Sequence, residues 1–144
     1  MSTPNPTVPA LGFLARKLKK MVLVSHSQSG IYPFQVVSAN PGGVAAIVAV
    51  EPTACPGENG DPKPYVGISI LLLYGDFIAK SPTWSAHYAA CKAFAASVNA
   101  AGGHVEIVET PRLGMYGNSH MLMQDRNNLQ IADVVTSWIT HSLR

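Results

Sequence analysis

Charge is scarce in these 144 residues: 10 Lys and Arg against 8 Asp and Glu leave a formal net charge of +2. The densest basic stretch, Arg16-Lys17-Leu18-Lys19-Lys20, is too short to form the stripe that neutralises a phosphate backbone. Nucleic acid is thereby excluded as a partner. Long hydrophobic runs are absent as well. The run from Ile68 to Tyr74 is interrupted by Ser69 and falls far short of the roughly 20 apolar residues that cross a bilayer. The reading therefore contains no membrane span and expects soluble protein. Cysteine is limited to Cys55 and Cys91, too few for a disulfide scaffold or a four-ligand zinc site. From the residues alone they form one bridge or stay as two buried thiols. The reading requires no metal and no cofactor. Met1 to Pro9 is polar and proline-rich, without the basic-then-apolar order of a secretory leader, so no signal peptide is visible and the compartment stays open.

What the chain does have is apolar material, 47% of its residues, enough to bury the core of one domain and not of two. Residues 1–144 are accordingly read as a single domain. Leu11, Leu14, Ala15 and Leu18 follow helical spacing within Pro9 to Lys20. Met21 to Val24 reads as a short strand, Ser25 to Gly30 as a sharp turn, and the residues to about Asn40 as a helix ended by Pro41-Gly42-Gly43. Val44 to Val50 and Ile68 to Tyr74 are solid apolar runs, the mark of strands buried on both faces. Glu51 to Gly67, rich in Pro, Gly, Asn and Asp, reads as loop or broken helix. Trp84 to Ala101 reads as helix, His104 to Val108 as strand, and about Asn127 to Leu143 as a final helix. Strands alternating with helices argue for an α/β architecture with a mostly parallel sheet of about four strands.

The turn after the first strand carries chemistry. A serine nucleophile presented at a strand-to-helix elbow needs small residues two positions away on either side, because larger ones collide across the turn. Ser27 has Ser25 and Ser29 there, with Gly30 following. The form is Ser-x-Ser-x-Ser-Gly rather than Gly-x-Ser-x-Gly. A bland role, an N-cap for the following helix, fits the same residues. Order along the chain favours the nucleophile, since the base of such a site lies in a loop after the last strand. His120, in Gly117-Asn118-Ser119-His120, stands there. His87 and His141 fall in helices, His104 opens a strand, and His26 is expected to point away from the base position. The amide of Gln28, next after the nucleophile, is the expected oxyanion donor.

The base needs a carboxylate to hold it, and two acids follow strands: Glu51 after Val50, and Asp76 in Gly75-Asp76-Phe77. Analogy with such sites favours Asp76. Glu51 reaches one methylene further, so the residues alone leave both open.

Three blocks together carry a family likeness. Ser25-His26-Ser27-Gln28-Ser29-Gly30-Ile31-Tyr32-Pro33, then Val50-Glu51-Pro52, then Gly117 to Asn128 closely resemble bacterial serine esterases of the α/β-hydrolase family. The likeness extends over nearly all of the chain from Pro4 onward. It implies a small ester substrate and a triad of Ser27, His120 and an acid placed after the strand that follows the nucleophile helix. That position is Glu51, so the resemblance displaces Asp76. It further implies export, a Cys55 to Cys91 disulfide and a homo-oligomer.

The resemblance is to the C-terminal half of such an enzyme. About 20 residues precede the elbow, so the strands expected before the nucleophile strand are missing, and with them the second oxyanion donor. Loss of one such donor typically costs about a hundred- to a thousandfold in turnover. The expectation is therefore a partial α/β-hydrolase fold and one of three behaviours: an ester hydrolase, a truncated and weakly active or inactive relative, or a non-catalytic interaction module that uses the open sheet edge.

Overall fold

The computed structural model describes residues 6–57 and 60–144. The start of the leader reading and two residues of the 51–67 loop lie outside the described residues. Helix α1 (Thr7–Leu18) leads into strand β1 (Met21–His26). A single 3-10 turn (Ser27–Gly30) opens onto α2 (Ile31–Ala39), followed by β2 (Val44–Val50) and β3 (Ser69–Tyr74). Helix α3 (Pro82–Ala100), β4 (His104–Glu109) and α4 (Asn128–Ser142) complete the order. The apolar spacing locates each of these to within a few residues. The main difference is at β1, which runs two residues beyond Val24 because its backbone keeps pairing with β2 as far as His26 opposite Val50.

The four strands form one sheet in the order β1-β2-β3-β4, every neighbouring pair parallel. Side chains alternate across it, as the pleat demands. Leu23, Ile47, Ala49, Ile70, Leu72 and Val105 face the layer made by α1, α2 and α3. Val48, Val50, Leu71 and Leu73 face α4, which brings Ile131 and is joined by Leu122. Strands β2 and β3 are thus covered on both faces, which explains why they read as unbroken apolar runs.

Helix α3 starts two residues before the expected Trp84, because Ser81 and Pro82 form its cap and first turn. Ser81 is the N-cap, accepting from the amide of Trp84 at 3.4 Å, and Pro82 fills the first turn, where an amide has no partner to lose. Its Cys91, Phe94, Ala95 and Val98 are buried. Phe94 meets Phe34 and Tyr65 edge-on, with ring centroids 5.3 and 5.1 Å apart. The Tyr65 hydroxyl donates to the Phe34 carbonyl at 3.0 Å, satisfying a polar atom that burial would otherwise penalise. Each such aromatic burial contributes about 1.5–3 kcal/mol. This layer holds the sheet rigid beneath the strand ends, where the loops gather.

At the outer edge, β1 pairs with β2 alone among the described residues, and Val24 is 62% exposed there. Among the described residues no helix is long and apolar enough to cross a membrane.

Candidate active site

Strands β1 and β2 end level with one another, since His26 is paired with Val50. The next residues, Ser27 and Glu51, therefore leave the sheet side by side. Both have left-handed backbone, with φ of 55° and 41°, a conformation that costs a residue with a side chain roughly 1–3 kcal/mol. Ser27 has this conformation because the chain must reverse from strand into the 3-10 turn and α2 within a residue. Ser29 ties that turn: its hydroxyl donates to the His26 carbonyl at 2.8 Å and accepts from the His26 amide at 3.3 Å. A serine in place of the usual glycine is thus both small enough for the elbow and a brace across it.

Gly30 is required by close approach. A Cβ there would lie 2.5 Å from the Pro52 Cβ and 2.8 Å from its Cα, so the start of α2 packs directly on the residue after Glu51. The Ser27 carbonyl accepts from the amide of Thr53 at 3.2 Å. The Ser27 turn and the loop that carries Glu51 are one packed unit.

His120 arrives on the loop after β4. Its Nε2 lies 2.8 Å from Ser27 Oγ, and its Nδ1 lies 2.6 Å from Glu51 Oε2. A carboxylate only accepts, so the Nδ1 proton is donated to Glu51 and Nε2 is left to accept from the Ser27 hydroxyl. Glu51 is 3% exposed. Its other oxygen accepts from the Gly75 amide at 2.8 Å, so neither carboxylate oxygen is left unbonded in the interior. Gly75 must be glycine, because a Cβ would come within 2.6 Å of the Asn118 carbonyl.

Asp76 does something else. Its carboxylate accepts from the amides of Gly117 at 2.7 Å and Asn118 at 3.3 Å and from the Thr110 hydroxyl at 3.2 Å, and its own amide donates to the Asn118 carbonyl at 3.0 Å. Asp125 repeats the device one residue further along the loop, accepting from the Ser119 amide at 2.7 Å and the Ser119 hydroxyl at 2.9 Å. The two aspartates grip the three residues that precede His120, and neither of them bonds the imidazole in these contacts.

The expectation for His26 is wrong. Its ring does not point away from the base: the centroid lies 4.5 Å from that of His120, and Nε2 donates to the His120 carbonyl at 2.8 Å. The reason is the path of the 117–121 loop, which crosses the end of β1 and brings both ring and carbonyl of His120 over the residue before Ser27. Trp84, which the sequence reading places only in a helix, lies with its ring centroid 4.4 Å from that of His120. A signal for it existed. In a parallel α/β sheet the first turn of each following helix lies at the same end as the strand C-termini, and Trp84 is in the first turn of α3.

Cys55 and Cys91 form a disulfide, with their Cα atoms 5.1 Å apart. It ties the segment beyond Glu51 to the helix that carries Trp84. An apolar cavity of about 390 Å³ lies beside the elbow, with Val24, His26, Ser29, Leu122 and Val135 in its wall. Among the described residues no group of three or more His, Cys, Asp or Glu could hold a metal ion.

A solved structure described as a novel bacterial esterase is 52% identical to the chain, covers all of it and superimposes with a TM-score of 0.94. The chain has a partial α/β-hydrolase fold. It spans 45% of that esterase's length. A probable secreted lipase, phiG, from a fungal species (strain ATCC 74256) is 25% identical over 81% of the chain, which covers 45% of that lipase. No protein-family profile matches. Ser27, Glu51 and His120 gather at the strand C-termini, the end at which the loops of open α/β sheets surround one crevice.

Proposed function

We propose that this chain carries the triad of a serine carboxylic ester hydrolase, with Ser27 as nucleophile, His120 as general base and acid, and Glu51 as the residue that orients His120. The observation that supports this most is the continuous relay from Ser27 Oγ to His120 Nε2, at 2.8 Å, and from Nδ1 to Glu51 Oε2, at 2.6 Å. These lengths fit nucleophile activation by an adjacent base that is itself held by a third group. The esterase and lipase likenesses support an ester as substrate.

In this reading Ser27 Oγ attacks the ester carbonyl while its proton passes to His120 Nε2. Glu51 stabilises the imidazolium that results. The carbonyl oxygen becomes an oxyanion beside the Gln28 amide, at the N-terminal end of the 3-10 turn and α2, where unpaired amides and the helix dipole favour negative charge. Collapse of the intermediate breaks the bond to the alkoxide, which leaves as an alcohol with the proton from His120. Water, deprotonated by His120, then attacks the acyl group on Ser27, and the serine leaves with its proton restored. The apolar cavity beside the elbow suits an aliphatic acyl or alkyl chain.

A second reading draws on a specific observation. The outer edge of β1 has no strand partner among the described residues, and Val24 is exposed on it, so the edge suits pairing with another segment. Turnover of a short-chain p-nitrophenyl ester, repeated with Ser27→Ala and with fluorophosphonate labelling, separates the two. Turnover that disappears with the hydroxyl supports the hydrolase. A folded chain in which Ser27 neither turns over ester nor takes the label leaves the edge-binding reading.

A further inference from the structure

We propose that His26 is a positioning residue for the base, a strut that fixes His120 through its ring and its backbone. This rests on the hydrolase reading above and extends it to a residue outside the triad. The two bonds of the relay, to Ser27 and Glu51, run from opposite sides of the imidazole. They set its direction, but they leave its faces and the backbone beneath it to be held by something else. His120 needs that support, because its side chain is 32% exposed and the loop beneath it has no helix or strand bonding from Met115 to Ser119.

His26 supplies both kinds of support. Its ring lies against the imidazole, with centroids 4.5 Å apart and planes inclined by 36°. Its Nε2 reaches the carbonyl of the same residue at 2.8 Å. A carbonyl can only accept, so this bond puts a proton on His26 Nε2. Trp84 lies against the imidazole as well, 4.4 Å between centroids, but it makes no bond to the His120 backbone in these contacts. Asp76 and Asp125 grip Gly117, Asn118 and Ser119, so the loop is fixed up to the residue before the base. His26 fixes the base residue itself.

Position makes the strut effective. His26 immediately precedes Ser27, and its backbone is braced at both amide and carbonyl by Ser29. Any shift of the elbow therefore carries nucleophile and strut together, and the distance from Ser27 to His120 stays constant. Catalysis by a positioned base is sensitive to displacements on the scale of 1 Å, which can cost about a hundredfold in rate. The indole of Trp84 adds an attractive face for the positive charge that His120 acquires in each cycle.

Three substitutions in the full chain test this. His26→Ala removes ring and donor, His26→Phe keeps a ring and removes the donor, and His26→Gln restores a donor near the Nε2 position. Each is checked for folding by circular dichroism. Two readouts are used: kcat and KM for a p-nitrophenyl ester, and the ring nitrogen resonances of His120, which report its tautomer and order whether or not ester turns over. The expected result is a fall in kcat of about ten- to a hundredfold in the Ala and Phe variants, with KM within about twofold. Alongside it, His120 loses its single Nδ1–H tautomer, and the Gln variant recovers most of both signals. If Ala fails to fold, the Phe and Gln pair decides. The proposal is overturned if folded Ala and Phe variants keep the wild-type kcat and His120 resonances, or if Gln falls as far as Phe. Should wild type neither turn over ester nor label at Ser27 while the His120 resonances still respond to His26, the strut stands and the hydrolase reading falls.

Discussion

Ser27 and Glu51 occupy matching places on adjacent parallel strands: each is the first residue beyond a paired end, and each has a positive φ. The relation explains why Glu51, and not Asp76, bonds the imidazole of His120, which bridges two residues that already stand side by side. We predict that Glu51→Gln leaves the fold intact, since the amide oxygen still accepts from Gly75. Its NH2 then faces His120 Nδ1, driving the ring into the Nε2–H tautomer, which cannot take the proton of Ser27. Turnover should fall by about a thousandfold or more, with the melting temperature nearly unchanged.

Asp76→Ala should show the reverse pattern. The carboxylate accepts from Gly117, Asn118 and Thr110, and Asn118 and Thr110 are fully buried. Leaving such donors unpaired costs about 1–3 kcal/mol, and a urea titration should register that loss. Activity should recover in part when the variant is assayed well below its melting temperature. A Glu51-like result, with stability intact and turnover abolished, would reassign the acid to Asp76.

The two aspartates and Glu51 also mark where the sequence stops being informative. That acids follow β2 and β3 is readable from residue order, as are the strands, the helices and the serine turn, because apolar spacing and Gly/Pro punctuation are local properties. Which acid reaches His120 depends on register, and register is set by strand pairs more than twenty residues apart in the chain. The same holds for His26 and Trp84. Their contact with His120 exists only because a loop from the far end of the chain crosses the end of β1. A histidine beside a candidate nucleophile carries no local mark of the direction in which its ring points.

Gly30→Ala tests the packing of the elbow on the acid loop. The added methyl would meet the Pro52 Cα and Cβ at 2.8 and 2.5 Å, and neither can swing aside. Overpacking of this kind typically costs about 1–3 kcal/mol. Because Pro52 adjoins Glu51, the strain passes into the relay, and kcat should fall more than KM rises. A crystal structure or the His120 resonances of the variant would register the displacement of Glu51; an unshifted Glu51 with wild-type kcat would show that the loop yields elsewhere.

The Cys55 to Cys91 bridge closes a loop with a sequence separation of 36 residues. By the chain-entropy account, that constraint on the unfolded state is worth about 3–4 kcal/mol. Replacing both cysteines by alanine should lower the urea midpoint and steepen the unfolding slope, because the freed unfolded chain exposes more surface. Since the bridge lies on the face of the sheet that packs against α3, activity at low temperature should persist. Loss of activity at unchanged stability would mean that the bridge holds Glu51 directly.

The phenol of Tyr88 links stability to alkaline pH. Burial, followed by its hydrogen bond to Glu109, pushes Tyr88 up to about 12 from the usual 10.0. The folded chain therefore keeps a proton that the unfolded chain releases, and between these values the unfolded state is favoured as pH rises. This contribution is fully present below about pH 10 and is lost on the way to about 12. Tyr65 and Tyr74 are raised as well, chiefly by burial, and they steepen the same decline. Tyr88→Phe should thus flatten, without abolishing, the fall in urea midpoint between neutral pH and about pH 11. An unaltered slope would place the alkaline sensitivity entirely in the two more deeply buried phenols.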